Sequence, residues 1–176
     1  MTRNDDALPD MNVLAKAEDM RLYVGIDPGK TGAIAWLQMR KRGGNHVWLR
    51  SCCGSRKMPA ERVELFRLIE ALESPYTSFT VEAVHSMPRD GVVSAFTFGQ
   101  GFGSLMMALD VLTEGVTMIS PAVWQRAIGC MSGGDKGKLW AFAEKKFPGK
   151  KIYKYEADAY LLAMLGSHIT ECVNPT

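Results

Sequence analysis

The apolar positions of this chain change their period along its length. Residues 21–27, RLYVGID, form a short apolar run ending in an acid, which predicts a buried strand. The turn PGKTG follows, punctuated by Pro28, Gly29 and Gly32. GAIAWLQM predicts a second strand. MRKRGGNH predicts a basic hairpin loop turning at Gly43-Gly44, and HVWLRSCC a third strand. Three strands joined by tight turns predict an antiparallel meander.

Helical spacing then takes over. Pro59 sits where a helix could start, and Leu65, Leu68, Ile69 and Leu72 share one face, with Glu61, Glu64, Arg67 and Glu70 among them. Residues 78–84, SFTVEAV, predict a fourth strand. A long helix is expected over 92–112, with Gly99, Gly101 and Gly103 allowing close packing or a bent start. VTMIS predicts a fifth strand. SPAVWQRAIG predicts a short helix with Ser120 as N-cap and Pro121 at its first position. Two more helices follow, over GDKGKLWAFAEKKF and over 155–167. Helices covering the later strands favour a mixed sheet over a sandwich. No internal repeat and no long linker divides the chain, so one domain is expected over 20–170, between a polar extension (1–19) and a short tail (171–176).

Composition excludes little. The chain has 176 residues, 47% hydrophobic and 23% charged, with a formal charge of +2, an ordinary globular balance. That charge neither demands nor forbids nucleic acid, since clustering decides. Cys52, Cys53, Cys130 and Cys172 form no CxxC pair, so reduced thiols are expected rather than a zinc site. No apolar run of membrane-spanning length and no signal-like start are found, and Asp5, Asp6 and Asp10 argue against a transit peptide. A cytoplasmic protein is expected.

Three isolated acids carry the chemistry. Asp27 ends an apolar strand, Glu82 lies inside another, and Asp158 opens an apolar helix with Leu161 and Leu162 on its face. Each alone has a plainer role, as a turn residue, a solvent-facing strand residue or a helix-dipole partner. Together they place three carboxylates where a core prefers apolar groups, and an unpaired buried carboxylate is costly. Magnesium relieves such a cost through oxygen ligands, and paired metals can drive phosphodiester cleavage.

At these residues the chain resembles the RuvC-type Holliday junction resolvases, within the ribonuclease-H-like superfamily, especially their shorter phage-borne members. GIDPGKTGA (25–33) resembles the first motif of that family, VEAVHSMP (81–88) the second, and FGQGFGSLMMAL the glycine-bearing helix that follows. SPAVWQRAIGCMSGGDKGKLW resembles the segment ending in an Asp-Lys helix start, and EADAYLLAMLG (156–166) the final acidic helix. The resemblance spans residues 20–168. It implies an α/β, ribonuclease-H-like mixed five-stranded sheet, three antiparallel strands then two parallel, flanked by helices. It also implies catalytic and metal-binding roles for Asp27, Glu82 and Asp158, a Mg²⁺ cofactor (or Mn²⁺), a homodimer, and four-way junction DNA as partner, without a membrane. One departure stands out. The family carries a second acid or a His three or four residues before the last acid, where this chain has Tyr155 and Lys154. Glu156 is the nearest further acid, and it can contribute only if it precedes regular helix, because two residues on a helix turn through about 200°.

Other candidates carry less. FGQGFG fails the dinucleotide-binding pattern. His85 reads as a loop histidine before a metal-shell residue. Lys30, Arg89, Lys136 and Lys138 are candidate DNA contacts, as is the basic stretch Lys145, Lys146, Lys150, Lys151 and Lys154. Phe96, Phe98 and Phe102 read as core or dimer contacts, and the 92–112 helix as the dimer surface. The reading is thus a Mg²⁺-dependent endodeoxyribonuclease of recombination or repair. Its rivals are the same fold acting on flaps, D-loops or RNA–DNA hybrids, and a catalytically weakened ribonuclease-H-like domain that only binds nucleic acid. An actin-like sugar kinase would need a longer, two-lobed chain.

Overall fold

The protein is described from a computed structural model, which covers residues 20–42, 45–84 and 91–173. The polar extension, the Gly43-Gly44 turn, His85 and Arg89 lie outside the described residues. The elements run β1 (Met20–Ile26), β2 (Ala33–Arg42), β3 (Asn45–Lys57), α1 (Arg62–Leu72), β4 (Thr77–Glu82), α2 (Val92–Leu112), β5 (Val116–Ile119), α3 (Pro121–Ala127), α4 (Lys136–Lys146) and α5 (Ala157–Val173).

The strands form one five-stranded sheet in the order β3-β2-β1-β4-β5. β1–β2 and β2–β3 are antiparallel, while β1–β4 and β4–β5 are parallel. This is the expected ribonuclease-H-like α/β arrangement. The parallel pairs need crossovers, which α1 and α2 supply.

Strand periodicity divides the core into two layers. Met20, Leu22, Val24 and Ile26 of β1 join Ile34 and Trp36 of β2, Phe79 and Val81 of β4, and the inner faces of α1 and α2. Tyr23 points the other way, with Ala33, Ala35, Leu37 and Met39, toward α4 and α5. β1 is therefore buried on both faces, which is why it reads as a nearly continuous apolar run. Fully burying a Leu or Ile side chain contributes about 1.5–3 kcal/mol, so both faces hold β1 in place.

α5 packs across β1, β2 and β4 at very close range. A Cβ on Gly25 would collide with the backbone of Ala159 and Ala163, and one on Gly166 would meet the Thr80 hydroxyl oxygen at 2.6 Å. Glycine faces alanine backbone here because any side chain would lift the helix from the sheet.

Several expectations need correction. β3 continues to Lys57, past its apolar residues, because Ser55, Arg56 and Lys57 pair with Ala35, Ile34 and Ala33 beyond a bulge near Leu37 and Met39. α1 starts at Arg62 rather than Pro59. α5 starts at Ala157 and extends to Val173. The α2 glycines meet no packing partner among the described residues, since a Cβ on Gly99, Gly101 or Gly103 would enter open space. Of the α2 side chains only Leu105, Ala108 and Leu109 are buried. Phe96 is 67% exposed, while Phe98 stacks on Phe102 at 5.9 Å, and Phe102 packs against the core. Contrary to expectation, α2 is long and apolar enough to cross a membrane by length and composition alone. Its C-terminal half nonetheless packs into the core of the domain.

Candidate active site

The three acids come from remote segments and reach one place for separate local reasons. Asp27 directly follows β1 and continues the alternation of Tyr23 and Gly25, so it faces the α5 side. Its backbone N–H donates to Ala33 O at 3.0 Å, and its Oδ1 accepts the Gly29 N–H at 3.2 Å. Gly32 is required at this turn, since a Cβ there would collide with the Asp27 carbonyl. Glu82 is the last residue of β4 and shares a face with Thr80, which touches α5 through Gly166. The parallel register pairs Ile26 with Val81, so Asp27 and Glu82 stand side by side one position further on. Adjacent strands lie about 4.8 Å apart. Asp158 lies in the first turn of α5, and the Gly25 contact seats that turn over the ends of β1 and β4.

All three acids are buried, and their ionisation reflects it. Burial pushes the Glu82 carboxyl up to about 7, against the Trp124 hydrogen bond, with the charges of Asp27 and Asp158 adding to the rise. Burial and the Asp27 charge push Asp158 up to about 6, while Lys136 opposes them. Asp27 is raised by burial against the Gly29 N–H and Lys136. The Asp27 charge acts on both Glu82 and Asp158, which places the three carboxylates in one neighbourhood.

The partners of these acids leave oxygens free. Trp124, fully buried on α3, donates from Nε1 to Glu82 Oε1 at 2.8 Å. The Lys136 ammonium stands 3.9 Å from Asp158 Oδ2, with its own side chain 57% exposed. At that distance it is a screened charge contact rather than a hydrogen bond. Among the described residues, no hydrogen bond engages the second oxygen of Asp27 or of Glu82. Hard carboxylate oxygens beside repelling charges suit a divalent cation such as Mg²⁺, which keeps several waters and takes one or two carboxylates. Among the described residues no three His, Cys, Asp or Glu side chains, Asp27, Glu82 and Asp158 included, are placed closely enough to hold one metal ion together.

The remaining candidates divide. Lys136 reaches the acids through Asp158, Lys30 and Lys138 are exposed, and Arg89 lies outside the described residues. Glu156 does precede regular helix, yet its Oε2 accepts the Tyr153 N–H at 2.8 Å, and it is absent from the charges that shift the three acids. It serves the entry to α5 rather than the cluster. Lys150 donates to Cys53 O at 2.8 Å, and Lys146 and Lys151 lie over the Phe142 and Tyr153 rings, so part of the basic stretch is engaged within the fold. Sequence reasoning missed Trp124. The available signal was that Trp124 follows the Ser120 cap by four residues, on the inward face of a short helix.

No family model matches the chain, and no curated protein matches it either. Solved structures do. The structure of RuvC from Thermus thermophilus superposes with a TM-score of 0.59 at 14% identity, covering 86% of this chain and 96% of that one. The fold is RuvC-like. T. thermophilus RuvC in complex with a Holliday junction substrate superposes with a TM-score of 0.58 at 13% identity, over the same shares of both chains. At such identity the similarity to RuvC is one of fold.

Proposed function

We propose that the protein is a Mg²⁺-dependent endonuclease that hydrolyses phosphodiesters in branched DNA, with the four-way junction as its first substrate. The observation that carries this reading is the meeting of Asp27, Glu82 and Asp158 on one face and at one end of a RuvC-like sheet, each with its carboxyl raised. Buried charges in proteins are paired or coordinate metals, and carboxyls with strongly raised pKa values cluster at functional sites.

In this reading Asp27, Glu82 and Asp158 hold the cation. Mg²⁺, or Mn²⁺ in its place, supplies neutralisation of these carboxylates and Lewis-acid polarisation of the phosphodiester. Trp124 fixes one oxygen of Glu82, which aims the other. Lys136 stands beside Asp158, exposed enough to meet a backbone phosphate, and Lys30 and Lys138, both exposed, are proposed as further phosphate contacts, with Arg89 kept as a candidate from the sequence alone. Phosphate contacts carry no base information, so selectivity would rest on the shape of the branch.

A homodimer fits the same reading, because paired nicks across a symmetric junction need paired sites. The apolar exposed side of α2, with Val93, Phe96, Met107 and Val111, is the proposed dimer surface.

A second reading has one observation in its favour. Glu156 is tied to Tyr153, which leaves the last motif with Asp158 as its acid in the pocket. A catalytically weakened, nucleic-acid-binding domain would tolerate that loss. The test is incubation of a labelled synthetic four-way junction with and without Mg²⁺. Nicking by the natural protein that needs Mg²⁺ and disappears in Asp27→Asn supports the nuclease. Binding without nicking by both proteins supports the alternative.

A further inference from the structure

A second charged feature lies at the same end of the sheet as the acids, two strands away. Arg56 and Lys57 close β3, and together with Arg67 and Leu68 of α1 they line a cavity of about 300 Å³ whose other walls are Pro59 and Glu64. Three cations against one carboxylate leave this cavity a net charge of +2. Among the described residues none of the three cations makes an ion pair or hydrogen bond, with Glu64 or with any other group. Surface arginines that converge on a hollow without a partner repel one another, and that repulsion is relieved by a bound anion.

Position and chemistry narrow the anion. Lys57 pairs with Ala33, whose carbonyl accepts the Asp27 N–H, and Met58 N–H donates to Gly32 O at 3.0 Å. Lys57 and Asp27 thus stand level, two strand spacings apart, or about 10 Å. The cavity is lined by α1, which packs on the face of the sheet opposite the acids, so a DNA strand that reaches both passes over this end of the sheet. Arginine offers a planar fork of donors matched to phosphate oxygens. Glu61, the residue that begins α1, makes no side-chain capping bond. The first turn of α1, which carries Glu64, borders the cavity. The hollow has room for a phosphate group with several waters.

We infer that Arg56, Lys57 and Arg67 form a phosphate-binding pocket for the nucleic-acid backbone, remote from the scissile phosphate, which holds a flanking stretch of the DNA bound at the acid site. The inference rests on the nuclease reading for the identity of the nucleic acid, and it assigns residues outside every motif that reading uses. Each backbone phosphate neutralised releases counterions, so its loss flattens the salt dependence of binding by about 0.9 per contact.

The experiment measures binding of a fluorescent four-way junction without divalent ions, so that no strand is cut, at a series of salt concentrations. The proteins are the natural chain, the double variant Arg56→Gln/Arg67→Gln, and Glu64→Gln. The double variant is expected to bind at least ~10-fold more weakly and to flatten the slope of log K against log salt by about two. Glu64→Gln is expected to bind more tightly, an outcome that general damage to the fold does not produce. A double variant with the natural slope and affinity overturns the pocket, whether or not the natural protein cuts DNA. Natural protein that binds with a pocket-dependent slope but never nicks keeps the pocket and removes the nuclease. Natural protein that binds no DNA removes both.

Discussion

The indole N–H of Trp124 donates to Glu82 Oε1 across 2.8 Å, joining residues 42 positions apart in a buried contact. It ties α3 to the end of β4 and, among the described residues, leaves the other Glu82 oxygen without a hydrogen bond. Trp124→Phe keeps most of the packing and removes the donor. The expected result is at least ~10-fold slower cleavage with a stability loss of about 1–3 kcal/mol, because a buried acceptor loses its partner. Single-turnover cleavage beside chemical denaturation separates the two effects.

Gly25 sets the height of α5 above the sheet. Gly25→Ala would drive a methyl group into the backbone of Ala159 and Ala163, and helix backbone cannot yield as a flexible side chain does. A loss of about 3 kcal/mol or more is expected, the upper range for overpacking a well-filled core. Displacement of Asp158 should abolish cleavage even where the variant stays folded. Urea denaturation and a junction-cleavage assay check the two parts.

Ionisation of the cluster makes stability depend on pH in a defined direction. Glu82 is raised from 4.5 to about 7 and Asp158 from 3.8 to about 6. Between the unfolded and folded values the folded protein holds more protons than the unfolded chain, so stability falls as pH rises through roughly 4 to 7. Without divalent ions, melting temperature should therefore be lower at pH 8 than these groups allow at pH 5. Glu82→Gln should raise the metal-free melting temperature at pH 8. Mg²⁺ should stabilise the natural protein more at pH 8 than at pH 5, since protons and cation compete for the same oxygens. Thermal melts across pH, with EDTA and with Mg²⁺, check all three.

Much of this site is legible in the amino-acid sequence, for a physical reason. Asp27, Glu82 and Asp158 interrupt apolar runs, and an acid in an apolar run stands out wherever the chain folds. The strand alternation that places Asp27 and Glu82 on one face is equally readable once β1 and β4 are known to pair. Other features depend on contacts between distant segments and leave no local trace. The Trp124 hydrogen bond, the Gly25 seat of α5 and the turning of Glu156 toward Tyr153 are of this kind. The α2 glycines show the reverse hazard. Their spacing suggests packing, yet Gly99, Gly101 and Gly103 face open space. The polar end of β3 escapes a hydrophobicity pattern because pairing with β2, and not burial, extends it to Lys57.

The exposed side of α2 should govern assembly. Val93 is 79% exposed and Val111 69%, beside Phe96 and Met107 on the same helix. Phe96→Asp/Met107→Asp is expected to shift a dimer to monomer in sedimentation velocity while leaving the far-ultraviolet circular dichroism unchanged. A natural protein that sediments as a monomer at tens of micromolar would remove α2 as a self-association surface.

Mn²⁺ binding, read by electron paramagnetic resonance, tests most directly whether the three carboxylates act as one cation site. The natural protein should bind Mn²⁺ with an affinity that falls ~100-fold or more in Asp27→Asn, Glu82→Gln and Asp158→Asn, since each removes a ligand rather than a ligand's support. Glu156→Gln should bind like the natural protein. Equal binding by the natural protein and by Asp27→Asn/Glu82→Gln/Asp158→Asn, or no binding at all, would contradict a shared metal site.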